Sequence, residues 1–94
     1  MGITDEDIHP HLQARMLQRG VSKEEIEVVL NKGREAKDAK PGTYGKVFLF
    51  QYEREWEGQF YKEKEVTVYY KLRQGKLILL TVKARYGSFK GDKP

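Results

Sequence analysis

The sequence predicts an α+β domain: two N-terminal helices packed on one face of a small twisted antiparallel sheet of three to four strands. Three observations predict it. Apolar residues recur at helical spacing through the first third of the chain. Ser22-Lys23-Glu24-Glu25 places a helix start in the middle of that stretch. From Lys46 onward the chain is rich in Val, Phe, Leu and Tyr, and turn residues divide it into strands.

The first helix is signalled by Thr4-Asp5-Glu6-Asp7, whose acids suit a helix N-terminus. Pro10 fits a first helical turn, so the helix proper starts near His9. Ile8, Leu12 and Met16 form its buried stripe, and Gly20 ends it as a left-handed cap. In the second helix Ser22 and Glu25 form a capping box, Ile26, Val29 and Leu30 share one face, and Gly33 stops it. Residues 34–45 form a polar connection with Pro41-Gly42, and alternation does not decide whether Glu35–Ala39 form a short edge strand. Lys46–Tyr52 is the next strand, Glu53–Gln59 a charged turn, Phe60–Arg73 a long strand, Gln74-Gly75-Lys76 a turn and Leu77–Tyr86 the last strand. The expected organisation is a single domain over 1–94, with a helical hairpin at about 8–33, a sheet at about 46–86 and a flexible basic tail at 87–94.

The last hairpin can be registered by keeping apolar residues on one face. A three-residue turn pairs Arg73 with Leu77, Leu72 with Ile78, Tyr70 with Leu80, Val68 with Val82 and Val66 with Ala84. The other face then pairs Lys71 with Leu79, Tyr69 with Thr81, Thr67 with Lys83 and Glu65 with Arg85. This face would show Tyr69, Lys71, Thr81, Lys83 and Arg85 to solvent or a partner.

Composition removes several function classes. The 94 residues contain no cysteine, which excludes disulfide frameworks, cysteine zinc sites and thiol nucleophiles. A reducing cytoplasm is the simplest setting. The apolar run Leu77–Leu80 is far too short to cross a bilayer, and the acidic start carries no signal-peptide core. Net charge is +4, but it is unevenly placed. Residues 71–94 hold seven basic side chains against Asp92 alone, while the rest of the chain is slightly acidic. A basic C-terminal segment suits a phosphate-binding surface or, more plainly, a soluble sheet face.

His11, Arg15 and Arg19 recur at i, i+4 and i+8 and form one stripe. Two guanidiniums beside an imidazole can clamp a phosphate and move a proton. The plainer alternative is that the arginines pair with acids and His11 bonds a carbonyl. His9 and His11 point to different sides of a helix, so no metal site is expected. Glu53-Arg54-Glu55 and Glu63-Lys64-Glu65 read as solvated strand ends. No phosphate-loop, nucleophile-elbow or dinucleotide fingerprint occurs, and no cofactor is expected. Phe48 and Phe50 are expected in the core. Tyr69 is a candidate base-stacking platform, and Tyr86 stands at the end of the basic strand. Trp56 either folds back on the sheet or serves as a contact residue.

The run His11-x3-Arg15-Met16-x2-Arg19-Gly20-Val21-Ser22, followed by Glu25-Ile26 and Val29-Leu30, resembles the opening of the uncharacterised DUF4258 family. Leu80-Thr81-Val82 is similar to that family's closing Thr-Val motif, with Lys83 where a tyrosine often follows. The resemblance implies a RelE/ParE-like architecture and a relation to bacterial toxins of toxin–antitoxin pairs, some of which cleave mRNA. For a ribonuclease of this kind the implied mechanism is metal-free. His11 would be the acid or base, and Arg15, Arg19, Lys83 and Arg85 would stabilise the phosphate. Tyr69 or Tyr86 would hold a base, beside Lys71. The expected partners are RNA, an antitoxin protein or a second copy of the chain. The alternative expectation is a non-catalytic interaction module using its sheet face or edge.

Overall fold

The computed structural model describes residues 3–89. Of the basic tail expected at 87–94, residues 90–94 lie outside the described residues, and Gly87 closes the last strand. Two helices, α1 (Pro10–Arg19) and α2 (Lys23–Lys32), precede four strands: β1 (Arg34–Glu35), β2 (Tyr44–Trp56), β3 (Gln59–Arg73) and β4 (Lys76–Gly87). The sheet is antiparallel throughout, in the order β1-β2-β3-β4. The α+β class is therefore as the sequence predicts, with four strands.

The helices form where their ends are satisfied. His9, not Thr4, caps α1: its Nδ1 accepts from the Leu12 amide, and Pro10 opens the helix. Thr4–Asp7 makes a separate 3-10 turn in which the Asp7 carboxylate accepts from the Thr4 amide and hydroxyl. Gly20 ends α1 at φ 71°. Ser22 and Glu25 form the capping box of α2 reciprocally, at 3.1 and 2.9 Å. Leu12, Ile26 and Val29 are fully buried against Val66, Val68, Leu79 and Val82, while Phe48 and Phe50 flank this core half-buried.

The hairpins differ from the expected turns, and the last one also departs from its expected register. The β2–β3 strands continue to a two-residue turn, Glu57-Gly58, so the charged run Glu53–Gln59 is mostly strand and not a turn. A bulge between Gln51 and Arg54, with Glu53 at φ 48°, displaces the register by one residue. In β3–β4 the base pairs as expected, from Glu65 with Arg85 to Tyr69 with Thr81. Nearer the turn it does not. Tyr70 pairs with Leu79, Lys71 with Ile78, Leu72 with Leu77 and Arg73 with Lys76, around the two-residue turn Gln74-Gly75. Both turn residues have positive φ, 52° and 79°, the twist that suits a tight hairpin. Leu80 is the extra residue, and the bulge puts Leu79, not Leu80, into the core at 2% exposure. The edge strand that alternation left undecided at Glu35–Ala39 is two residues long and starts earlier: Arg34 and Glu35 pair with Val47 and Lys46.

The Glu63-Lys64-Glu65 run is not a solvated strand end. Glu63 and Lys64 are buried, and Gln51 Nε2 donates to Glu63 at 3.3 Å. Lys64 points to the helix side and bonds both Glu25 carboxylate oxygens, at 2.8 and 3.0 Å, and the Gly20 carbonyl.

Candidate nucleic-acid interface

Helix α1 lies along β4 and runs in the same direction. It is pinned at both ends: the His9 Nε2–H donates to the Leu79 carbonyl at 3.0 Å, and the Tyr86 hydroxyl donates to the Arg19 carbonyl at 2.6 Å. Because Nδ1 of His9 accepts the cap bond, its proton sits on Nε2. This placement carries the cationic side of α1 along the margin of β4. There it meets the sheet face turned away from the helices.

That outward face holds two adjoining open concavities of about 640 and 720 Å³. The first is lined by His11, Tyr69, Leu80 and Thr81, the second by Arg19, Arg34, Glu65 and Arg85. Asp38 and Lys83 line both. So His11, Arg19, Lys83, Arg85 and Tyr69, all candidates from sequence, border one continuous stretch of surface. Arg15 is half-buried, reaches Gln18 at 3.5 Å and lines neither concavity. Lys71 stands nearer the Gln74-Gly75 turn and also lines neither.

Three cations of this surface, Arg34, Lys83 and Arg85, are paired with carboxylates. Glu65 accepts from Arg85 Nε at 3.0 Å and lies 3.7 Å from Arg34. Asp38 accepts from Lys83 Nζ at 2.9 Å and from the Tyr69 hydroxyl at 2.9 and 2.8 Å on its two oxygens. Lys83 also sits over the Tyr69 ring at 5.3 Å, so that ring is not a free stacking platform. The bond from Lys83, then that from Tyr69, holds the Asp38 carboxyl below its ordinary range. Tyr69 and then Asp38 hold the Lys83 ammonium above its own, while burial raises the Tyr69 phenol. Sequence reasoning missed Asp38. Its only sign was an acid two residues before Lys40-Pro41-Gly42-Thr43, where Pro and a positive-φ Gly set a turn closed by Thr43 onto the Lys40 carbonyl.

Tyr86 is placed elsewhere. It faces the helix side, stacked on Trp56 at 5.4 Å and packed edge-on against Tyr52 at 5.5 Å. Trp56 therefore folds back on the sheet, over Gly20. Burial, then the neighbouring Tyr52, Glu25 and Glu57, holds the Tyr86 hydroxyl well above the ordinary tyrosine value of 10.0. A phenol whose folded value is raised contributes stability that is complete below the ordinary value and lost as pH rises past it. Urea midpoints are therefore expected to fall above about pH 10, and Tyr86→Phe to flatten that fall. An unchanged slope in Tyr86→Phe would show that the phenol titrates like a free one.

No protein-family model matches the chain, and searches of curated proteins and of solved structures found no match either. Among the described residues no group of three or more His, Asp or Glu side chains is arranged to hold a metal ion, and no helix is long and apolar enough to cross a membrane.

Proposed function

We propose that the protein binds single-stranded RNA by its phosphodiester backbone, along the outward groove between α1 and β4. The observation that supports this is the meeting of two separate sequence signals. The His/Arg side of α1 and the basic outward face of β4 line adjoining concavities. Five cations against three carboxylates border the larger one, so the groove keeps a positive balance despite its ion pairs. The reading agrees with the DUF4258 resemblance and its toxin-like implication.

The proposed chemistry at this groove is RNA cleavage by the neighbouring 2′-hydroxyl. The 2′-oxygen attacks the adjacent phosphorus, the P–O2′ bond forms and the P–O5′ bond breaks. His11 accepts the 2′ proton, and solvent protonates the departing 5′-oxygen. Arg19, Lys83 and Arg85 stabilise the added negative charge. Products would carry a 2′,3′-cyclic phosphate and a 5′-hydroxyl.

Fluorescence anisotropy with a labelled oligoribonucleotide at several salt concentrations tests the binding. Arg19→Ala and Arg85→Ala are each expected to weaken it roughly three- to ten-fold and to lower the salt slope by about 1. Unchanged affinity in both variants overturns the reading. Cleavage of the same RNA is expected to disappear in His11→Ala while binding persists; RNA that is bound but left intact by the wild type removes the catalytic part alone.

A second reading has one observation in its favour. β1 covers only Lys46 and Val47, so the outer edge of β2 beyond them has no strand partner among the described residues. Such an edge suits strand addition by an antitoxin-like protein or a second copy of the chain. A protein that ignores RNA and elutes as a dimer would favour it.

A further inference from the structure

The loop between β1 and β2 sets a carboxylate against Tyr69 and Lys83, two side chains of the outward groove. Asp38 offers two anionic oxygens to a phenol hydroxyl and an ammonium at 2.8–2.9 Å. That donor pair is one that recognises phosphate oxygens. Asp38 remains 59% exposed at its side chain, so burial does not fix it there. It also stands with Lys83 at the seam of the two concavities, bordering both. A side chain at Gly42 in the same loop would meet no neighbouring atom within 4 Å.

We infer that the Tyr69 hydroxyl and the Lys83 ammonium form a phosphate subsite, and that the Asp38 carboxylate occupies it in the free protein. The inference rests on the RNA-binding reading for the identity of the incoming group. An arriving phosphodiester replaces one anion by another, Asp38 withdraws, and the two concavities join into a single groove from His11 to Arg19. The carboxylate is thus a built-in competitor. It lowers apparent affinity by the fraction of molecules in which the subsite is already filled.

Asp38→Asn in the full chain tests this, with a labelled oligoribonucleotide and, separately, inorganic phosphate as probes. RNA affinity is expected to rise about ten-fold. Glu35→Gln removes one charge from the rim of the same groove without touching Lys83 or Tyr69, and is expected to raise it about two-fold at most. In a Lys83→Met background Asp38→Asn is expected to have no effect beyond that of Glu35→Gln. Equal gains from Asp38→Asn and Glu35→Gln overturn the inference, as does a gain that survives Lys83→Met. Phosphate titration separates the two claims. If Asp38→Asn shows phosphate-dependent shifts of the Tyr69 ring resonances but no RNA is bound, the subsite stands and the RNA reading falls. If RNA binds through Arg19 and Arg85 but Asp38→Asn changes neither probe, the subsite falls and the RNA reading stands.

Discussion

Replacing Lys64 with methionine is expected to cost about 3–5 kcal/mol, a large share of the stability available to a domain of this size. Lys64 is 1% exposed on the central strand β3. Its ammonium has three acceptors, the two Glu25 oxygens and the Gly20 carbonyl, and lies 5.2 and 5.6 Å from the Tyr52 and Tyr86 rings. Methionine fills the stem volume but leaves a carboxylate that is only 16% exposed without its countercharge. The Glu25 carboxylate also accepts the Ser22 amide, so the unpaired charge loosens the start of α2 as well. In Lys64→Met/Glu25→Gln the glutamine keeps the capping bond and carries no charge. The double variant is therefore expected to regain part of the loss. Urea denaturation of both variants checks this, and a loss below about 1 kcal/mol in Lys64→Met would mean that the pair behaves as a surface one.

Gly20→Ala is expected to cost about 2–4 kcal/mol, from two additive causes. The backbone at φ 71° is left-handed, which an alanine adopts with strain. A methyl group there would also stand 2.6 Å from two Trp56 ring carbons and 2.7 Å from the Tyr86 oxygen. The rings cannot simply swing away, because each stacks on the other and Tyr86 is tied to the Arg19 carbonyl. Trp56 is the sole tryptophan, so its emission reports the displacement directly. A folded Gly20→Ala variant with wild-type emission and stability would contradict this packing.

Much of the framework was legible because it depends on neighbours in the chain. The Ser22–Glu25 box, the Gly20 cap and the stripe of Ile26, Val29 and Leu30 are local patterns, and each stands where the spacing places it. The hairpin turns were harder to read. Glu57-Gly58 and Gln74-Gly75 put positive φ on residues that lack the Asn or Asp side chain by which such turns usually announce themselves. Bulges add a residue without changing composition, so Leu79 and Leu80 exchanged places relative to the expected register. Lys64 sits in a charged run, and its partner Glu25 is 39 residues away, so nothing nearby marked it as buried. In the candidate interface the cations were visible as residue types at spacing. Asp38 was not, because its meaning lies in Lys83, 45 residues further on.

The two pins of α1 also constrain how the chain can reach this structure. His9 waits for a carbonyl 70 residues later, and Arg19 for a hydroxyl 67 residues later. While the chain is being synthesised, α2 is complete before any strand of the sheet, and α1 lacks its main packing surface until β4 emerges. Leu12, fully buried in the finished fold, stays wet for that interval. Closure of α1 onto β4 is a late, long-range step, of the kind that slows folding and leaves apolar surface open to chaperones or to another nascent copy.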